Sequence, residues 1–355
     1  MINFDFEALR RIGLTPVIAN QLYTLTPQTT GSHHVARITE VHRDTVNVHD
    51  GKTAFNTRIL PRLLLDKDSS DSGLAVGDWV LTESMQHDDY WVTDRMLPIT
   101  HLTRRSNDGR RQALASNIDT ALLVMGLDAD FNLRRMERYL ALTHAAGVAA
   151  VIVLTKADVS SDTATRVAEV EQRLSASVPV IAVNGQSTDA ASALAQWMAA
   201  GQTLILLGSS GAGKSTLTNT LASSQQQTGG VRASDGRGQH TTTARSLHLC
   251  PGGACIIDTP GLRSLQLDVD EAALSASFED IEALAELCQF RNCSHQSEPG
   301  CAVRETVDAD RLHNYQKLLR EARRHQQSPL DKIADRAKWK VMMRSVKERD
   351  RQKRG

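Results

Sequence analysis

The 355-residue chain predicts a multidomain fold: a small β-barrel, an α/β domain built around a phosphate-binding loop, and a mainly α-helical domain clasped by a metal. Three observations carry this prediction. Short period-two strands fill residues 35 to 100, strand and helix patterns alternate from 120 to 258, and three cysteines with a histidine crowd residues 288 to 301. The boundaries read as 1–30 for an N-terminal arm, 31–103 for an OB-fold-like barrel, 104–268 for the α/β domain, 269–327 for the metal domain and 328–355 for a basic tail.

Composition narrows the class. Lys plus Arg and Asp plus Glu number 41 each, so global charge selects no partner and only its segregation is informative. The opening residues, Met1 to Glu7, lack the basic start and long apolar core of a signal peptide. No stretch of 18 apolar residues predicts a membrane span, so the expectation is a cytoplasmic protein without membrane contact. Five cysteines, three of them crowded, fit a reducing compartment and a metal site better than a disulfide framework.

In chain order, residues 1 to 30 mix polar and apolar types without a clear period and read as a loosely attached arm. Val35–Val41 and Thr45–Val48 alternate at period two, with a turn signal at Asp50-Gly51, and Phe55–Leu60, Asp78–Thr82 and Tyr90–Thr93 continue the strands. Five short strands in so short a span suggest an OB-fold, with another small β-domain as the plainer reading. His101–Arg111 reads as a basic linker, either touching phosphate or simply solvated. Beyond it, strands at Thr120–Met125, Ala149–Leu154, Pro179–Val183, Leu204–Leu207 and Ala254–Asp258 alternate with helices near 133–146, 164–175, 191–198 and from Leu217. This is the pattern of a doubly wound parallel sheet. From about residue 270 the chain reads as helical around the cysteine cluster.

The chemistry centres on Gly208-Ser209-Ser210-Gly211-Ala212-Gly213-Lys214-Ser215, which fits G-x-x-x-x-G-K-[ST] between a strand and a helix. Small residues let successive N–H groups, through Thr216, converge on phosphate. Lys214 can reach β and γ oxygens, and Ser215 can hold Mg²⁺. Asp258 ends a strand in D-x-x-G, where it can reach the Mg²⁺ shell and the Gly261 N–H can meet a γ-phosphate; a plain β-turn is the alternative. Thr155-Lys156-Ala157-Asp158 also follows a strand. Asp158 can accept from the N1–H and N2–H₂ of guanine, which adenine cannot offer, and the Lys156 stem can lie against the base. Asn184, with its neighbours Val183 and Gly185, would add backbone contacts to the base.

Cys288, Cys293, His295 and Cys301 offer three thiolates and an imidazole within 14 residues, a set that suits one structural, tetrahedral Zn²⁺ with no open position. Unligated buried cysteines are the alternative, His313 is a reserve ligand, and Cys250 and Cys255 read as packing residues. Between Arg320 and Gly355 stand 13 Lys/Arg against five Asp/Glu, a stripe able to neutralise RNA phosphates or to remain a solvated helix.

A base loop that precedes the phosphate loop resembles the circularly permuted GTPases. With a barrel before it and a Cys/His cluster after it, residues 35 to 325 resemble the RsgA family of small ribosomal subunit biogenesis GTPases. Two positions depart from the family pattern: Thr155 stands in place of Asn, and Val183-Asn184 in place of a Ser-Ala-like pair. The resemblance implies a monomeric GTPase that binds the 30S subunit and its 16S rRNA late in assembly and converts GTP to GDP with stimulation by the subunit. Hydrolysis would then release the protein. Gly236–Thr243 matches the family's switch segment, so one of Thr241 to Thr243, represented by Thr242, should reach Mg²⁺. Leu262 cannot orient water, which leaves His240 as the group to do so unless it is only a surface histidine. An RNA-binding GTP switch with little hydrolysis is the alternative. A nucleotide kinase or metal-handling NTPase fits Asp158 and the permuted order poorly.

The permutation sends the chain from D-x-x-G straight into the terminal domain, so the γ-phosphate should act on that domain as on a lever. Hydrogen-exchange protection of residues 270 to 325 should therefore differ between the GDP-bound protein and its complex with a non-hydrolysable GTP analogue.

Overall fold

In the computed structural model the described residues are 2–25, 33–65, 73–84, 89–105, 111–174, 177–222, 245–259 and 266–326. Strand β1 (Ile2–Asn3) and helices α1 (Phe6–Arg11) and α2 (Pro16–Gln21) open the chain. Asp5 and Thr15 cap the two helices by accepting from the N–H groups of Ala8 and Ile18. Leu9, Ile12, Leu14, Ile18 and Leu22 are buried in the main core. The expected loose arm is therefore corrected for residues 2–25: each short helix has one apolar face, and both faces are covered.

The barrel comprises β2 (His33–Val41), β3 (Thr45–His49), β4 (Ala54–Ile59), β5 (Trp79–Ser84) and β6 (Tyr90–Arg95), with helix α3 (Pro61–Leu65) after β4. It closes because β2 pairs with both β3 and β5, while the parallel pair β4–β6 joins the remaining strands. Ala36, Ile38, Val46, Val48, Ile59, Val80 and Val92 fill its interior, as period-two alternation requires.

The basic stretch at 101–111 departs from the expected linker. Its described residues form β7 (His101–Arg105) and the start of β8 (Arg111–Ser116), an antiparallel pair extended by β15 (Gln266–Leu267). Asp268 accepts from Thr103 at 2.8 Å and pairs with Arg105 at 3.0 Å and Arg111 at 2.6 Å. The neutralising carboxylate lies far along the chain, which is why local sequence reads as an unpaired basic loop.

The α/β unit follows as β9 (Thr120–Gly126), α4 (Leu133–Ala145), β10 (Ala149–Thr155), α5 (Thr163–Arg173), β11 (Val180–Ala182), α6 (Asp189–Leu194), β12 (Thr203–Leu207), α7 (Lys214–Ala222), β13 (Ser246–Leu249) and β14 (Cys255–Asp258). The order β11-β10-β9-β12-β14 is parallel throughout, and β13 adds antiparallel to β14. Alternate residues pack into separate cores, Leu123, Ile152 and Ile205 on one face and Leu122, Val153 and Leu206 on the other, so both faces are covered. Strand β13 was not expected from sequence. It joins the two sheets by pairing Ser246 with Glu40 of β2. Helices α8 (Glu271–Ala276), α9 (Glu279–Ala285), α10 (Ala302–Thr306) and α11 (Ala309–Gln326) complete the chain.

Arg37 of β2 is 0% exposed and joins these units. Its guanidinium donates to the carbonyls of Ile12, Gly77 (3.3 Å) and Asn117 (2.9 Å) and to the Thr203 hydroxyl (2.9 Å), and it lies 5.5 Å from the Trp79 ring centroid. An Arg37→Leu variant removes this donor from the Ile12 and Asn117 carbonyls and the Thr203 hydroxyl, while the Gly77 carbonyl keeps the Asn117 side-chain amide at 3.0 Å. It should lower the urea midpoint of unfolding by the equivalent of about 1–3 kcal/mol for each buried acceptor left unpaired.

Candidate functional site

Strands β9, β10, β12 and β14 end at one edge of the parallel sheet, the position where such sheets bind ligands. After β12 the chain curls through Gly208 to Gly213 before α7 begins at Lys214. Gly211 and Gly213 have φ of +85° and +92°, which disfavours a side chain at either position. A Cβ on Gly208 would lie 2.5 Å from the Val124 carbonyl. Lys214, 5% exposed, donates to the carbonyls of Gly208 at 3.0 Å and Ser209 at 2.8 Å. The loop's own carbonyls thus accept from the ammonium.

Asp258, 2% exposed, stands opposite this lysine and hydrogen-bonds Ser215. Burial pushes the Lys214 pKa down to about 8 and the Asp258 pKa up, while their mutual attraction opposes both shifts. Asp258 Oδ1 is buried with no hydrogen-bond partner among the described residues. An orphaned carboxylate oxygen beside a serine hydroxyl is a hard-oxygen set that fits Mg²⁺ and its water. Thr259 donates to the Leu206 carbonyl at 2.7 Å and fixes the end of β14.

The base-loop residues lie against the phosphate loop. Thr155 is buried and donates to the Ala212 carbonyl at 2.6 Å; Lys156, with φ +64°, donates to the Gly211 carbonyl at 2.8 Å. The hydroxyl of Thr155 therefore ties the two loops directly. The Ala157 N–H donates to the Val183 carbonyl at 3.3 Å, and Thr220 of α7 donates to the Gly185 carbonyl at 2.7 Å, which brings Asn184 to the same edge. Asp158 is exposed there. Phosphate-loop, Asp258 and base-loop residues are thus assembled in one place.

Sequence reading missed Asp128 and Asp130, which follow β9. Asp128 pairs with Lys156 at 2.6 Å. Asp130 accepts from the Ser209 hydroxyl, from the Gly126 N–H at 3.2 Å and from Arg135 at 2.6 Å. The only sequence signal was a pair of carboxylates after a strand, which any turn shows. His240, Thr242, Gly261, Leu262 and the basic tail at 328–355 lie outside the described residues.

Cys288, Cys293, His295 and Cys301 bring their ligand atoms within 4.8 Å of one another, so this set could hold a metal ion. Sγ of Cys288 lies 3.9 Å from Sγ of Cys301 and 3.7 Å from Nδ1 of His295, and the latter is 3.4 Å from Cys301. Glu298 organises the intervening loop by accepting from the Ser294 hydroxyl and from the N–H groups of Ser294, Gln296 and Ser297; the Ser294 hydroxyl first, then the backbone N–H groups of Ser294 and Gln296, hold its carboxyl well below the usual range. His313 is exposed outside the cluster, and Cys250 and Cys255 are buried in the sheet cores. Among the described residues, no helix is long and apolar enough to cross a membrane.

The family described as RsgA GTPase matches residues 96–268. The chain is 43% identical over 311 residues to the small ribosomal subunit biogenesis GTPase RsgA of Xanthomonas axonopodis pv. citri (strain 306), covering 85% of this chain and 83% of the relative. It is 41% identical over 322 residues to small ribosomal subunit biogenesis GTPase RsgA 2 of Vibrio vulnificus (strain CMCP6), covering 88% and 87%. In fold it is similar to YjeQ from Thermotoga maritima, with TM-score 0.60 and 22% identity over 82% of this chain and 98% of that one. It is also similar to YloQ, described as a circularly permuted GTPase, with TM-score 0.55 and 22% identity over 83% and 97%.

The buried lysine makes the free protein's stability depend on pH. Below about pH 8 Lys214 is charged in both states and the folded state bears its desolvation cost. Between about 8 and the ordinary value of 10.5, the folded chain has released a proton that the unfolded chain keeps, so stability rises with pH. Thermal midpoints of the wild type should therefore rise relative to Lys214→Met across this window.

Proposed function

The chain belongs to the RsgA GTPase family, and from that premise we propose that it hydrolyses GTP to GDP and phosphate on the small ribosomal subunit during the subunit's late maturation. The observation that carries the reading is the pair of bonds from Thr155 and Lys156 to Ala212 and Gly211, which hold a guanine-type base loop on a phosphate loop. Asp158 reads the guanine edge, while Lys156 and Asn184 flank the base. The N–H groups from Ser209 to Thr216 hold the phosphates. Lys214 leaves the Gly208 and Ser209 carbonyls to meet β and γ oxygens, adding positive charge where negative charge develops.

Ser215 and Asp258 would hold Mg²⁺, joined by Thr242 of the switch segment; the ion supplies charge neutralisation on the phosphates. Gly261 meets the γ-phosphate, and His240 orients the attacking water that Leu262 cannot. The 30S subunit is the partner through its 16S rRNA, met by the barrel, the metal domain and the basic tail of a cytoplasmic monomer. Release follows hydrolysis.

The Cys/His cluster is a structural zinc site. Tetrahedral zinc, with bonds of about 2.3 Å to sulfur and about 2.0 Å to nitrogen, requires ligand edges of about 3.5–3.8 Å. The measured separations of 3.4, 3.7 and 3.9 Å support that reading.

The second reading, a GTP switch with little hydrolysis, is favoured by Leu262 alone. Phosphate release from GTP by the full chain, with and without purified small subunits, separates the two. The proposal expects stimulation of about tenfold or more by the subunit, its loss in His240→Ala, and no turnover in Lys214→Ala. Tight GTP binding with no turnover on subunits would replace it by the switch, and a rate indifferent to subunits would reject both.

A further inference from the structure

Helix α4 touches both ends of the machinery. At its amino end, Asp130 accepts from the hydroxyl of Ser209 in the phosphate loop and from Arg135 of the helix, and Asn132 caps the helix by accepting from the Arg135 N–H at 3.0 Å. Further along, Arg134, Glu137 and Arg138 fall at the i, i+3, i+4 spacing that places them on one face. That face is bound by the metal-bearing segment. Arg134 donates to Asp310 at 2.9 Å, Arg138 makes a two-pronged pair with Glu321 at 2.7 Å per bond, and Glu137 accepts from Arg311 at 2.8 Å and from Asn314. All four partners belong to α11, whose Gln316 donates to the carbonyl of His295, a ligand of the metal cluster, at 3.0 Å.

Glu137 is the centre of this contact. It is 2% exposed and also accepts from Arg173 of α5 at 3.0 Å, while Arg311 reaches on to Asp280 of α9 at 2.7 Å. A carboxylate buried among two guanidiniums and an amide gains little net stability over an apolar contact, but it tolerates few alternative geometries. The other end of the helix lies against the phosphate loop. Lys214 donates to the carbonyl of Ser209, the residue whose hydroxyl is held by Asp130. A phosphate competes for that ammonium, so binding changes the restraint on Ser209 and on the carboxylate attached to it.

We propose that α4 is the strut through which phosphate-loop occupancy sets the docking of the metal-bearing segment, with Asp130 as the positioning residue at the nucleotide end and Glu137 at the docking end. This route runs through described, packed residues and is separate from the lever expected through Gly261. It rests on the reading of the site as a guanine nucleotide site.

The test measures the affinity of the full, metal-loaded chain for fluorescent GDP and for a fluorescent non-hydrolysable GTP analogue in wild type, Asp130→Asn, Glu137→Gln and the double variant. A strut predicts that Glu137→Gln, which lies outside the nucleotide loops, shifts the ratio of the two affinities by about threefold or more, and that the double variant shifts it by less than the product of the single shifts. A ratio in Glu137→Gln within about twofold of wild type, or single effects that multiply fully, overturns the inference while leaving the nucleotide site intact. A wild type that binds neither nucleotide overturns the nucleotide reading, and this inference with it. Should Glu137→Gln lose its metal or its cooperative unfolding, Arg138→Gln, at the half-buried pair with Glu321, provides the same ratio under the same criteria.

Discussion

A single buried guanidinium joins the N-terminal helices, the barrel and the α/β sheet. Arg37 projects from the barrel strand β2, yet its acceptors come from the N-terminal helices, the barrel, the β8–β9 connection and Thr203, the first residue of the phosphate-loop strand. Asp119 fixes Thr203 a second time by accepting from its N–H at 2.7 Å. With both groups satisfied, the start of β12 has little freedom, and Gly208 emerges five residues later at a defined point on the sheet edge. Guanidinium donors are fixed in a planar fork, so all these acceptors must arrive together. The barrel is therefore built into the nucleotide domain, and the β2–β13 pairing continues one sheet into the other.

Other junctions use the same device. Asp268 holds Arg105 and Arg111 where the three-stranded sheet meets the terminal helices, Asp78 holds Arg95 within the barrel, and Glu137 holds Arg173 and Arg311 between the sheet domain and α11. An apolar contact of similar size would serve stability as well or better. Ion pairs at these junctions instead define direction, because a carboxylate can satisfy two guanidiniums in few arrangements. Some of the charge of a chain with equal numbers of acidic and basic residues thus lies inside its own joints.

The nucleotide loops show how local chemistry and packing divide the work. Left-handed glycines at 211 and 213 let the backbone approach phosphate, but the loop's conformation is also held from outside, by Thr155 on Ala212, Lys156 on Gly211 and Asp130 on Ser209. Thr155 makes the crossing bond with its single hydroxyl donor, which is all that the Ala212 carbonyl requires. The same three bonds bring the 155–158 segment, the 208–215 loop and Asp130 to one place on the sheet edge.

Much of this was legible in the residues. The phosphate loop, Asp258, the base loop and the Cys/His cluster announce themselves because each concentrates its chemistry within a few positions, and the barrel and parallel sheet follow from period-two patterns and alternating elements. What local pattern could not show is whatever depends on a distant partner. The N-terminal helices look loose until their faces meet the core, and 101–111 looks like a basic loop until Asp268 arrives from far along the chain. Strand β13, with Ser246 and His248 alternating with its leucines, lacks the apolar run that marks β14 and is evident only once β14 and β2 flank it, and Asp130 is an ordinary turn carboxylate until Ser209 lies against it. Sequence alone determined the chemistry of the loops and the order of the domains, because those are written in contiguous residues. Tertiary structure alone decided which charges are joints and which loops share a site, because a buried ion pair or a crossing hydrogen bond exists only once both partners have been brought together.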